Sequence, residues 1–280
     1  MNTELLLRHL TSIDRSKDSA WAERLAPRKR EELEFHDARV DRTVDGANDE
    51  GLASSSNKRY YRYVDAARRY CDDWIRTNAP GKVFLDYACG TGEAARKAAA
   101  CGASLSIGID ISGASIDTAR ALAEKEGFSE RSSFIQGDCE KTELPASSVD
   151  LVLCSGMLHH LDLSYAFPEL RRILKPGGKI LAFEALNYNP LIRLYRKLTP
   201  SLRTNWEKEH ILGLSDLRFA ERFFTRGEVR YWNILSILSP HLPLLAPALA
   251  AADSVLTKIP LVQLMAWIFT FELIKEPGKK

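Results

Sequence analysis

The chain has 280 residues, enough for one large domain or one domain with a substantial insertion, and 45% of them are hydrophobic, which supports a buried core. Lys plus Arg number 39 against 37 Asp plus Glu, so bulk charge points to neither a nucleic acid nor an anionic surface as partner. The five cysteines, Cys71, Cys89, Cys101, Cys139 and Cys154, are odd in number and form no C-x-x-C pair. That excludes a disulfide framework and a structural zinc site as first readings and fits a reducing cytoplasm.

At the N-terminus only Leu5-Leu6-Leu7 precedes Arg8, far short of a secretory apolar core, so no signal peptide is expected. Residues 1–58 mix both charge signs and end in a Gly/Asn/Ser stretch over 45–57, the composition of a mobile N-terminal extension or lid. From Lys58, Tyr60, Val64, Ala67, Cys71, Trp74 and Ile75 recur at helical spacing until Asn78-Ala79-Pro80-Gly81 stops the helix.

Strands and helices then alternate. The pattern predicts strand 83–87, helix 92–101, strand 105–110, helix 113–126, strands 132–136 and 149–154, helix 164–174 and strand 179–184. Such alternation with short connections implies a parallel sheet with helices on both faces, and the continuous apolar runs suit strands buried on both sides. Residues 185–226 break the rhythm, and further strands are predicted at 228–238 and 264–275. Between these lies an apolar, proline-punctuated stretch, 239–260, too broken for a membrane span of about 20 residues and read as an interfacial or lid segment. The chain thus divides into 1–58 and a domain over 59–280, with insertions at about 185–226 and 239–262.

The first strand, Val83-Phe84-Leu85, ends in Asp86 and turns through Cys89-Gly90-Thr91-Gly92 into an Ala-rich helix. A glycine turn of this kind lets backbone N–H groups approach a ligand closely. Gly90 to Ala95 fits G-x-G-x-x-A, and Asp110 lies 20 positions after Gly90, which leaves an NAD(P) oxidoreductase as one reading. Asp86 and Glu93, however, bracket the turn. A pyrophosphate between carboxylates meets repulsion of about 4 kcal/mol per charge pair at about 4 Å and an effective dielectric of about 20. A ligand carrying an ammonium and a sulfonium suits the turn better.

The ordered series LDYACGTGE (85–93), GIDIS (108–112), QGDCEKTELP (136–145), SVDLVLCSGMLHHL (148–161) and LKPGGKILAFE (174–184) resembles the motifs of class I S-adenosylmethionine-dependent methyltransferases, over about residues 82–184. The resemblance implies an α/β, Rossmann-like doubly wound seven-stranded sheet, last strand antiparallel, with helices on both faces. It also implies S-adenosylmethionine as cofactor and S-adenosylhomocysteine as product. Asp86 and Gly90 would flank the methionine moiety and Gly92 would close the turn. Asp110 would bind the ribose hydroxyls, although an Asp there can also cap the next helix. Ile111 would pack on the adenine, with Gly137, Asp138 and Cys139 reading its edge. Ser155 and Gly156 would lie under the transferring methyl group. The sequence departs from the family at Tyr87-Ala88, where a small or apolar residue and then Gly are usual: Ala88 is a mild change, and Tyr87 must point away or cover the ligand. Tyr61, beside Tyr60, is placed as a cover over the cofactor, with core packing as the rival role.

Methyl transfer to a hydroxyl needs a base. His159 and His160 follow the fourth strand, at the mouth where open parallel sheets bind ligands, and His210 sits with Trp206, Glu207 and Glu209 in the first insertion. A metal held by Glu184, Glu209 and His210 matches no known spacing, so no metal is assigned. Leu186, Tyr188, Leu191, Ile192, Tyr195 and the 239–260 stretch suggest a small hydrophobic acceptor, such as a quinol, polyketide, terpenoid or lipid, with O-methylation favoured. No nucleic-acid partner is expected, and contact with a membrane surface stays open. A protein that keeps this fold and cofactor for a non-methylating reaction such as cyclisation is the alternative.

Overall fold

The structure is a computed structural model that describes residues 3–44 and 63–278. Helices α1 (Thr3–Ile13), α2 (Pro27–Val44) and α3 (Asp65–Asn78) precede the sheet. The doubly wound unit follows as β1 (Val83–Tyr87), α4 (Glu93–Ala100), β2 (Leu105–Asp110), α5 (Gly113–Lys125), β3 (Ser132–Gln136), β4 (Val149–Ser155), α6 (Leu163–Ile173) and β5 (Leu174–Ala185). Helices α7 (Pro190–Leu198), α8 (Asn205–Glu209) and α9 (Leu214–Ala220) lead to β6 (Thr225–Trp232), and α10 (Ala246–Leu256) lies before β7 (Ile268–Ile274).

The seven strands run in the order β3-β2-β1-β4-β5-β7-β6. β1 to β5 pair in parallel, whereas β7 is antiparallel to both of its neighbours, β5 and β6. The fold class is therefore the expected Rossmann-like one, with the last strand reversed. Every residue of β1 and β2 is buried, as their uninterrupted apolar runs require when helices cover both faces.

Some boundaries differ from expectation. β5 begins at Leu174, five residues early, and takes in the Pro176-Gly177-Gly178 entry, with a register irregularity against β4 between Val149 and Leu151. β6 runs over 225–232 rather than 228–238. It stops because Asn233 turns left-handed at φ +62°, after which the N–H groups of Ile234, Leu235 and Ser236 donate to the buried Asp253 carboxylate.

Two helices, α1 and α2, occupy much of 3–44, and α1 is packed on the core, where composition suggested a mobile extension or lid. Leu6, Leu10 and Ile13, on one face of α1, join the main core with Ile135, Cys139 and Leu144. Asp14 accepts from Gln136 N at 3.0 Å and pairs with Arg120 at 2.7 Å, so α1 covers the edge strand β3. Among the described residues no helix is long and apolar enough to cross a membrane.

Candidate active site

The carboxyl ends of β1, β2, β4 and β5 open into a cavity of about 590 Å³. The turn after β1 reverses the chain through three left-handed residues, Ala88 (φ +54°), Gly90 (φ +50°) and Gly92 (φ +73°). A Cβ on Gly90 would meet nothing within 4 Å, which leaves its backbone open to a ligand. A Cβ on Gly92 would strike the Phe134 ring, so that glycine is required for closure of the turn against β3. Ala88 bears the left-handed strain that a glycine would escape, a larger departure than its small methyl suggests.

The acids expected at this turn are in place. Asp86 is buried and accepts from Ala95 N at 3.1 Å. Burial pushes its carboxyl up to about 7, and the nearby charges of Asp110 and Glu93 push the same way. Asp110 accepts from Gly90 N at 2.7 Å through one oxygen and from Ser112 N at 2.8 Å through the other. It braces the turn, while the cap of α5 is Ser112, which accepts from Ser115 N at 3.0 Å. Burial raises the Asp110 carboxyl despite these two donors. Asp86, Glu93 and Asp110 line the cavity together with Ala88, Ile111, Asp138, Cys139, Ser155 and Gly156.

Three of the expected cofactor residues lie behind the wall rather than on it. Tyr87 is wholly buried and its hydroxyl donates to the Cys139 carbonyl, so it points away from the turn. Gly92 is buried in the turn itself, and Gly137 donates its N–H to Asp110 O at 2.9 Å beneath Ile109. Tyr60 and Tyr61 lie outside the described residues.

The roof comes from the N-terminal segment read from sequence as an extension or lid, none of whose residues was assigned to the site. Arg28, Lys29, Glu32 and His36 of α2 all line the cavity. Lys29 bridges Asp138 at 2.5 Å and Glu140 at 2.8 Å. Arg28 pairs with Glu140, donates to His160 O at 2.9 Å and lies 4.5 Å above the Trp206 ring. Further along, Ser112 Oγ donates to Asp37 at 2.5 Å. Asp138 is thereby engaged by Lys29 and by Glu140 N at 2.9 Å, which narrows what it can offer to an adenine.

The two adjacent histidines separate. His160 lines the cavity, and its Nδ1 lies 2.9 Å from Glu32 Oε2. Burial and the neighbouring His159 hold the His160 imidazole down to about 3 despite Glu32. Glu32 is buried, yet hydrogen bonds from His160, His36 and Thr204 Oγ1, the last at 2.6 Å, keep its carboxyl well below the usual range. A carboxylate only accepts, so the neutral imidazole donates Nδ1–H to it and keeps the lone pair on Nε2. That is the tautomer of a general base.

His159 is buried and does not line the cavity; its Nδ1 meets Glu184 Oε2 at 2.8 Å. Burial disfavours the charged imidazole, but Glu184 and Glu207 raise its pKa overall. Glu184 also accepts from Met157 N at 2.9 Å and Leu158 N at 2.7 Å, which holds the short 3-10 turn at 158–160 in shape. His210 is exposed, stacked on Trp206 with ring centroids 3.6 Å apart, and away from the cavity. Glu184, Glu209 and His210 are consequently not assembled: the first is wholly buried, the second exposed, the third held by Trp206.

Residues 85–182 match the family described as "Methyltransferase domain". The chain is similar to sterol 24-C-methyltransferase ERG6B of Gibberella zeae, 36% identical over 108 residues, 38% of this chain and 28% of that protein. It is also similar to the ribosomal protein L11 methyltransferase of Photobacterium profundum, 32% identical over 111 residues, 39% of this chain and 36% of that protein. The matched stretch thus spans only 28% of the first relative and 36% of the second. Among solved structures, geranyl diphosphate C-methyltransferase from Streptomyces coelicolor A3(2) superposes with a TM-score of 0.55 at 17% identity, covering 75% of this chain and 79% of that one. The cyclase SpnF superposes with a TM-score of 0.53 at 22% identity, covering 74% and 80%. At such identities the two structures share the fold.

Proposed function

We propose that this chain, which carries a class I S-adenosylmethionine-dependent methyltransferase domain over residues 85–182, transfers the methyl group of that cofactor to a small hydrophobic acceptor. The observation that carries the reading is that three acidic side chains, Asp86, Glu93 and Asp110, at an open glycine turn line one cavity together with a neutral histidine, His160.

The donor set fits the cofactor. A buried carboxyl raised to about 7 by its surroundings is poised to ionise when a cation arrives, and the methionine end offers an ammonium beside the sulfonium. Asp86 and Gly90 would hold that end, Asp110 the ribose, Ile111 and Cys139 the adenine, and Ser155 and Gly156 the floor under the methyl. When bound, the cofactor supplies an electrophilic methyl group.

What the chain itself does follows from its residues. Ion pairs of Arg28 and Lys29 with Asp138 and Glu140 close the roof and exclude water, which raises the value of orientation in a charge-neutralising displacement. Cys71, Ile75, Leu153 and Phe183 line the same cavity and suit an apolar acceptor. His160, fixed by Glu32, would take the acceptor proton at Nε2, a role that requires its imidazole, held at about 3 in the empty cavity, to rise when cofactor and acceptor bind.

Isothermal titration tests the cofactor assignment. Asp110→Ala should weaken S-adenosylmethionine binding by more than about tenfold, as loss of charge-assisted hydrogen bonds implies; unchanged affinity would overturn it. Intact-mass analysis of products tests the reaction, since methyl transfer adds CH₂ and a cyclisation leaves the mass unchanged.

A further inference from the structure

Two stretches leave the carboxyl end of the sheet side by side. Ala185, at the end of β5, pairs with Ile268 of β7, and Ile268 pairs with Trp232 at the end of β6, so 186–213 and 233–267 emerge at one edge. Their roots are tied, with Leu186 N donating to Trp267 O at 2.8 Å and Asn189 Nδ2 to Met265 O at 2.7 Å.

Both stretches present apolar surface to solvent. On α7, Ile192 is buried among Trp267 and Ile268, while Leu191, Leu194 and Leu198, at i, i+3 and i+7, form a stripe with Leu191 and Leu198 each 72% exposed. Over 240–261, Leu244 is 95% exposed and Leu261 79%, with Val255 and Ile259 exposed beside them. Large apolar side chains this exposed, grouped on two stretches with a common root, are more than the scattered single residues of an ordinary surface.

On the two segments that carry these apolar side chains, α7 and 240–261, the exposed charge is cationic. Residues 187–206 contain Arg193, Arg196, Lys197 and Arg203 and no acid. Residues 234–262 contain Lys258 and a single acid, Asp253, which is buried under the backbone N–H groups of 234–236. Within α7 and 240–261 every exposed charge is thus cationic, with Arg193 and Lys197 flanking the leucine stripe, while Glu207 and Glu209 lie beyond it in α8, where Glu207 pairs with the buried Arg203. Apolar side chains beside unopposed cations are the pattern of an interfacial helix on anionic lipid.

We propose that α7 and the 240–261 segment dock on the surface of an anionic phospholipid bilayer. Ile192, on the inner side of α7, shares an apolar cluster with Leu153 and Phe183 of the cavity wall, so docking sets the cavity beside the hydrocarbon from which an apolar acceptor can be drawn. The docking does not depend on methyl transfer being the reaction.

The test is sedimentation of the whole chain with vesicles of phosphatidylcholine, or of phosphatidylcholine and phosphatidylglycerol in equal amounts. Binding to the mixed vesicles should exceed that to the neutral ones by about tenfold and weaken as salt is raised. Leu194→Glu with Leu198→Glu should abolish binding to both, and Arg193→Glu with Lys197→Glu should remove the preference for anionic lipid while leaving thermal unfolding unchanged. Equal binding to both vesicles, binding to neither, or a dimer in analytical ultracentrifugation that the leucine variant dissociates would overturn the proposal. Titration with S-adenosylmethionine on the same preparations reports on the cofactor site alone.

Discussion

Glu32 of α2 and His160 of the turn after β4 meet at 2.9 Å across 128 positions of sequence. The contact fixes which imidazole nitrogen carries the proton, and it ties the roof of the cavity to its floor. Removing the carboxylate therefore acts on chemistry before it acts on cofactor binding. Glu32→Ala should lower turnover on the order of 10²-fold, the usual worth of a correctly held base, with S-adenosylmethionine affinity little changed. Glu32→Gln, which keeps an accepting oxygen, should recover part of the loss. Nitrogen-resolved NMR of the His160 ring checks the cause, since the Nδ1–H tautomer should be lost in the alanine variant.

The same pair predicts how stability varies with acid. His160 is held at about 3 in the folded chain, against about 6.5 when unfolded. Below pH 6.5 the unfolded chain binds a proton that the folded chain refuses, so stability falls as pH drops from about 6.5 toward 3. Glu32, whose folded carboxyl is held low, adds a loss that begins below its unfolded value of about 4.3. Thermal unfolding of His160→Gln should show a flatter pH profile between 6 and 4 than the parent chain; parallel profiles would exclude the assignment.

Asp86 carries the opposite sign. Its folded pKa of about 7 lies above the unfolded value, so the ionised form is disfavoured in the empty site and favoured once a cation is bound. Affinity for S-adenosylmethionine should therefore rise with pH through about 7, changing about tenfold between pH 6 and pH 8. Asp86→Asn should bind weakly and without that pH dependence. The measurement is isothermal titration across the range, with proton release followed by the buffer dependence of the heat.

Gly92 and Gly90 both sit at positive φ, yet they should respond differently to alanine. At Gly92 the added methyl strikes Phe134 as well as forcing a left-handed backbone, and the two costs together reach about 2–4 kcal/mol. At Gly90 nothing lies within 4 Å, so only the backbone cost, about 1–2 kcal/mol, remains. Urea unfolding of the two variants should separate them by that difference, and cofactor titration should single out Gly90→Ala as the one that weakens binding at retained stability.

The strands of the doubly wound unit were legible because each is a short apolar run ended by a charge or a glycine. β1, β2 and β3 fall on the expected residues for that reason. Asp86 and Asp110, which line the cavity, stood out in the sequence as well, since they terminate those runs. The roof was not. Lys29 finds Asp138 and Glu140, and Glu32 finds His160, over separations above 100 residues, and such pairings leave no local pattern in a helix that reads as solvated on every face. For α1 a signal did exist: Leu6, Leu10 and Ile13 recur at helical spacing, and they are the side chains the core buries. His210 failed for a different reason, because the neighbouring Trp206 that made it look like part of a site is what occupies its ring face.

The ion pairs that seat α2 also set an order of events during synthesis. Residues 27–44 leave the ribosome well before Asp138, Glu140 and His160 exist, and at about 5–20 residues per second the helix waits about ten seconds for its partners. For that interval its charges are solvated and its position is undetermined. The cavity thus becomes enclosed only when a segment made earlier folds back onto residues made about 100 positions later.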